Sequence, residues 1–451
     1  MGLYERLFGD GPVAEQLSDR ARLQAMLDVE LALAEAEAGL GIVPASCVAP
    51  IRAAARAELY DVAALGEEAA SAGNLAIPLV RQLTQRVAAA DEVASRYVHW
   101  GATSQDVIDT ALVLQLRAAV PLVARQLARG ADAAAEHAQR HAAAPMPGRT
   151  WLQQATPITF GLKAAGWTEL LDRARGRLEA ALGEALVLQL GGSSGTLAAL
   201  GDRGLALAEA LGARLQLRVP DAPWHAQRDR IAHLACALGV CAGSSGKIAR
   251  DLGLLAQTEV GEARPAERQG QGGSSTMPQK HNPVAAAVAL AAATRAPGLV
   301  ATLLAAMPQE HERGLGGWQA EWPVLPELVL VAAGGARAVA DALTDLVVDV
   351  ERMRLHVDES RGVGCAELVA LALTPSVGRR EAHARVEAGC RRALAEKRAL
   401  AEVLAEDPVV ARHLAPEELR RCTAPENALG SATALVRRIL SRRTASRKDD
   451  A

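Results

Sequence analysis

Apolar residues recur at i, i+3, i+4 and i+7 along five long stretches of the chain, 113–142, 160–190, 226–262, 284–306 and 327–357. That period predicts amphipathic helices. In 226–262 the stripe comprises Ile231, Leu234, Leu238, Ile248, Leu252 and Leu255. Strict apolar/polar alternation, the mark of a half-buried strand, is scarce. These patterns outrun the ~8–20 residues of an ordinary globular helix, so they predict an all-α protein built on a bundle of long helices. Gly, Pro and Ser cluster at 99–106, 145–157, 191–196, 269–283 and 308–323, interrupting the periodicity. They divide the chain into an N-terminal helical domain (1–111), a central long-helix domain (112–357) and a C-terminal helical domain (358–451). No internal repeat of ~20–50 residues is visible, which argues against a solenoid.

Composition narrows the function more than the fold. The 451 residues are 50% hydrophobic and 22% charged, enough apolar material for a large core. A formal charge of −3 offers no general basic surface for nucleic acid or an anionic membrane. Any anionic ligand must therefore be held by a local group of Arg, Lys and helix N-termini. The opening "MGLYERLFGDG" lacks an apolar secretory core, and no stretch reads as a membrane span. Cys47, Cys236, Cys241, Cys365, Cys390 and Cys422 are scattered without a C-x-x-C pair. They predict reduced thiols in a cytoplasmic protein. No close cluster of His, Cys, Asp and Glu suggests a metal site, and neither a metal nor an organic cofactor is expected.

Candidate chemistry gathers at the breaks, where function usually sits on a rigid scaffold. "VHWGATSQDVIDT" presents His99, Thr103 and Ser104 ahead of a helix, as anion donors or as an ordinary N-cap. "GRTWLQQATPITF" sets Arg149, Thr150, Trp151 and Gln153 before another helix, although Trp151 taken alone reads as a core aromatic. "EHERGLGGWQAEW" contributes Glu310, His311 and Arg313, whose bland reading is a solvated charge run. The stretch "GGSSTMPQKHNP" (272–283) is more specific: Gly272 and Gly273 permit torsions that turn backbone N–H groups on an anion. Ser274 and Ser275 add hydroxyls, and Lys280 is a single cation flanked by Pro278 and Pro283. A linker needs neither the prolines nor the lysine.

Together these stretches resemble the fumarase/aspartase superfamily, which includes adenylosuccinate and argininosuccinate lyases, and the resemblance covers nearly the whole chain. The superfamily's loop G-S-S-x-M-P-x-K-x-N-P stands here as Gly273 to Pro283 with every fixed position matched. The resemblance implies a mostly helical homotetramer with a twenty-helix core, each active site assembled from three subunits. It implies catalytic roles for Ser274, Lys280 and Trp151. It also implies substrate-binding roles for His99, Thr103, Ser104, Thr150, Gln153, Ser275, Asn282 and Arg313. "LFGDGPVAEQLSDRARLQAMLDVELALAEAEAGLGIVP" and "WHAQRDRI" are similar to the cycloisomerase branch, whose members open and close a lactone on a small tricarboxylate.

Two departures separate the chain from most lyases of the superfamily. They carry a His where Trp151 stands and a Glu four residues after the final loop proline, where this chain has Ala287. Both members of that His–Glu pair are missing. A departing amine or hydroxyl benefits from protonation by a general acid. A carboxylate expelled from a lactone, with a reference pKa near ~4, does not need it. The loss therefore fits a lactone chemistry in which Trp151 shapes the pocket. The base remains open between Ser274 and Lys280, since a serine hydroxyl is weak unless strongly activated. His281 follows the loop lysine where the cycloisomerases usually carry Arg. A fumarate-releasing lyase and a catalytically silent helical scaffold are the competing readings.

Overall fold

The computed structural model describes residues 3–266, 272, 273, 276, 277 and 280–449. Ser274 and Ser275 lie outside the described residues. The all-α expectation holds. The principal helices are α1 (Asp19–Gly39), α2 (Ser104–Arg140), α3 (Phe160–Ala185), α4 (Asp229–Leu255), α5 (Val284–Ala305) and α6 (Gly317–Thr344). Helix α2 shows why: Val113, Leu116, Val120, Val123, Leu127, Ala131, Ala134 and Ala138 are all buried, at steps of three and four. Asp106 in its first turn and Arg140 in its last complement the helix dipole.

The fifth predicted stretch is corrected. Helix α6 begins at Gly317, with Pro323 and Pro326 inside it, and ends at Thr344. Strand β4 (Leu346–Val348) then pairs antiparallel with β3 (Ala263–Pro265), and α7 (Val350–Glu359) follows. A second correction concerns 145–157, read from sequence as an irregular break. It is a hairpin of β1 (Pro145–Thr150) and β2 (Gln153–Thr159). Prolines at 145, 147 and 157 hid it, because proline argues against a central strand and is tolerated in a two-stranded one. The register shifts between Pro147 and Arg149, and a Cβ at Gly148 would stand 2.4 Å from the Thr156 carbonyl oxygen. Only glycine fits that bulge.

The chain resolves into two compact units. One comprises residues 1–127, 173–247 and 288–338; the other comprises 128–172, 248–287 and 339–451. Leu23, Met26, Leu27, Ile51, Leu79 and Leu83 are buried in the first. In the second, Val369, Leu373, Val386, Leu400, Leu404 and Leu419 form a core of their own around α8 (Ala366–Val377) and α9 (Arg379–Glu396). All six cysteines are free, and burial pushes the Cys241 thiol up to about 12. By length and composition alone, α2, α4, α5 and α6 would each suffice to cross a membrane, contrary to the sequence expectation. Three of them bury 67–72% of their most apolar window within the chain, whereas α5 buries 28% of its own.

The first unit holds one costly residue. Glu37 on α1 is fully buried, and neither carboxylate oxygen has a hydrogen-bond partner among the described residues. Burial, and then the charge of Glu30, push its carboxyl up to about 9. Its folded pKa lies above the ~4.3 of an unfolded chain, so stability is lost as pH rises from ~4.3 through that value. Glu37→Gln is therefore expected to raise Tm by several degrees at pH 8.5 and to change it little near pH 5. Equal shifts at both pH values would contradict this origin.

Candidate active site

The first unit organises its polar residues around Asp106. Its carboxylate accepts from the N–H groups of Gly191 and Gly192, both at 2.9 Å, from Gln189 Nε2 at 3.2 Å and from Thr103 N at 3.0 Å. His225 Nε2 lies 2.8 Å away. One buried carboxylate thus ties the start of α2 to the loop 191–196, whose Ser193, Ser194 and Thr196 are exposed. One turn on, Asp109 receives a bidentate pair from Arg228 at 2.8 and 3.1 Å, and Trp318 Nε1 at 3.0 Å. Arg228 also forks onto Glu321, down to 2.6 Å, and lies over the Trp224 ring at 4.7 Å. Burial works against the Arg228 charge, but Asp109 and Glu321 outweigh it and raise its pKa further. One guanidinium serves two carboxylates, and burial holds Glu321 above the ordinary carboxylate range.

This network aims the predicted residues. Arg313 Nη1 donates to Thr103 Oγ1 at 2.9 Å, and its Nε to Gln105 Oε1 at 3.3 Å. Gln105 in turn donates to Asp109 at 3.1 Å and to the His225 carbonyl at 2.9 Å. Thr103 stands directly before α2, exchanges backbone contacts with Asp106, and its hydroxyl accepts from Arg313. His99, in a left-handed conformation (φ 59°), places Nδ1 2.7 Å from Glu30 Oε1. Burial opposes its charge, but Glu30 prevails and raises the His99 pKa. Ser104 opens α2 half-buried. Glu310 and His311 are exposed, with Glu310 accepting from Leu315 N at 2.9 Å, so the solvated reading holds for them and fails for Arg313. Imidazole, guanidinium and hydroxyl groups ahead of this helix form a group suited to carboxylates.

The second unit presents the other predicted residues. Thr150, Trp151 and Gln153 are exposed at the tip of the β1–β2 hairpin. Trp151 is 96% exposed, which overturns its reading as a core aromatic. Trp151 and Leu152 have φ of 53° and 63°, as a type I′ turn requires, where Asn-Gly would be the easy choice. Bulky residues held there store strain, a feature of sites with a use. The hairpin is pinned by Arg149, which donates bidentately to the buried Glu262 at 2.7 and 2.6 Å. His356 Nδ1 lies 2.7 Å from the same carboxylate. In the signature loop, Gly272 (φ 67°) accepts from Asn282 N at 2.7 Å, and a Cβ there would meet Asn282 O at 2.6 Å. Lys280 and His281 are exposed, and Lys280 N donates to the Met277 carbonyl at 3.0 Å.

Sequence reasoning missed Asp106, Asp109, His225, Arg228, Glu321 and Glu30 as parts of the site's frame. The spacing of Asp106 and Asp109 on one helix face was the available signal.

The chain matches the lyase family over residues 10–298 and the adenylosuccinate lyase C-terminus over residues 362–439. It is 53% identical to the 3-carboxy-cis,cis-muconate cycloisomerase of Pseudomonas aeruginosa, over 97% of this chain and 96% of that one. Against the cycloisomerase of Bradyrhizobium diazoefficiens it is 52% identical over 94% of each. The crystal structure of the 3-carboxy-cis,cis-muconate lactonizing enzyme from Pseudomonas putida superposes with a TM-score of 0.92 at 48% identity, covering 98% of this chain and 99% of that one.

Proposed function

Because this chain belongs to the lyase family of the fumarase/aspartase superfamily, we propose that it catalyses the reversible cycloisomerisation of 3-carboxy-cis,cis-muconate and 4-carboxymuconolactone. The reaction is an intramolecular lyase step in the protocatechuate branch of the β-ketoadipate pathway. The observation that carries the reading is the replacement of the lyase His–Glu pair by Trp151 and Ala287 beside a fully matched loop. Lactone opening removes a proton from the carbon next to a carboxylate and expels a second carboxylate. The intermediate aci-carboxylate gathers negative charge on oxygen, which preorganised donors and cations stabilise. Meeting across subunits, Lys280, Arg313 and His99 supply cations, Thr103, Ser104, Thr150, Gln153, Ser275 and Asn282 supply polar contacts, and Trp151 shapes the pocket. Ser274 or Lys280 takes the proton. No electron sink is required, so the reaction needs neither metal nor organic cofactor.

Ultraviolet absorbance tests this directly. Muconate absorbance should fall when 3-carboxy-cis,cis-muconate is supplied, and no fumarate signal should grow with a succinyl substrate. Fumarate release would favour the amine-releasing lyases, and silence with both would favour a scaffold.

The same reading carries a soluble cytoplasmic homotetramer with sites shared among three subunits. Two observations support it. Only 28% of the apolar window of α5 is buried by its own chain, and a core of partner helices would cover the rest. Trp151 is exposed on a strained turn, available to a neighbouring copy. The C-terminal core and the separate match of residues 362–439 support the division at 358. Sedimentation should give a tetramer; a stable, active monomer would overturn it.

A further inference from the structure

Glu30 is 2% exposed, and its sole hydrogen-bond partner among the described residues is His99. Its second oxygen, Oε2, is buried without a partner. A buried carboxylate so poorly satisfied needs a cation against it. The charged or titratable neighbours that act on this pair are few. Asp106 on α2 adds negative potential at His99, while Glu37 on α1 and the Tyr60 hydroxyl feel the charge of Glu30. Arg86 lies 4.8 Å over the Tyr60 ring and donates to the Leu59 carbonyl. His99 is thus the cation that answers Glu30. Its backbone sits at φ 59°, a conformation that the ion pair and the following turn hold in place. Nδ1 is the ring nitrogen that Glu30 engages, which leaves Nε2 as the one that can face a ligand.

We infer that Glu30 is a positioning residue acting through His99: it fixes the ring and retains it as an imidazolium whose Nε2–H is offered to a substrate carboxylate. The inference rests on the proposed substrate-binding role of His99. The dyad differs from a general-acid pair because the cation is kept charged and does not need to give up its proton. Burial weakens that charge, but Glu30 more than compensates, so binding should persist to a pH above the usual histidine range.

The test is the pH dependence of KM in Glu30→Gln, which keeps the shape and an acceptor but removes the charge. KM should match wild type within about two-fold at pH 6 and rise by about ten-fold at pH 8.5, with kcat changing less. His99→Gln should raise KM at both pH values, and adding Glu30→Gln to it should change nothing further. A Glu30→Gln deficit equal at both pH values would mark a merely structural role and overturn the inference while leaving His99 as a binding residue. A His99→Gln enzyme with normal KM would remove both. If Glu30→Gln does not fold, Glu30→Asp decides by the same readout: retention of the wild-type pH dependence supports the inference, and a uniform loss overturns it.

Discussion

Lys280→Ala should lower kcat by ~10²–10⁴ while raising KM less. Lys280 is exposed on a loop whose ends are drawn together by the Asn282 N–H donating to the Gly272 carbonyl at 2.7 Å. A point charge there is most useful where negative charge grows, on the aci-carboxylate oxygens, or as the group that exchanges the proton. Either use is stronger in the transition state than in the bound substrate, so the loss falls on kcat. Single-turnover absorbance changes with 3-carboxy-cis,cis-muconate separate chemistry from product release. An alanine variant with near-normal kcat removes Lys280 from the mechanism and leaves Ser274 as the base.

The second large effect is on stability. Arg228→Met should destabilise the protein by about 3–5 kcal/mol, because it leaves Asp109 and Glu321 buried without their shared cation. The deficit should shrink as pH falls and Glu321, which burial holds above the ordinary carboxylate range, takes up a proton. Arg228→Lys keeps the charge but loses the planar fork that serves both carboxylates, so it should recover only part of the loss. Denaturant midpoints at pH 5 and pH 8 check both statements. A methionine variant as stable as wild type at pH 8 would mean that the network positions side chains without supporting the fold. Activity should also fall, since Asp109 holds Gln105 and Gln105 receives Arg313.

Helices α2 to α5 were legible from apolar spacing because each carries an apolar face over many turns, and repetition makes a period visible. The 272–283 loop was legible because its residue types are costly anywhere else: prolines, glycines and a lysine together do not fit a helix. The hairpin was not legible. Its strands are short, carry three prolines, and are held by a contact between Arg149 and Glu262, far along the chain. Trp151 illustrates the gap, since the same residue suits a core or a tip until its neighbours are known.

The sequence by itself determined the helical class, the loop chemistry and the loss of the His–Glu pair, because these depend on local period and residue type. Only the tertiary structure decided which polar groups are partners. Asp106 meets Gln189 and His225, 83 and 119 residues away, and Glu30 meets His99 across 69. No spacing rule encodes such pairs. What selects them is the cost of burying a charge, which is met only when folding brings the opposite charge or a donor to the same place.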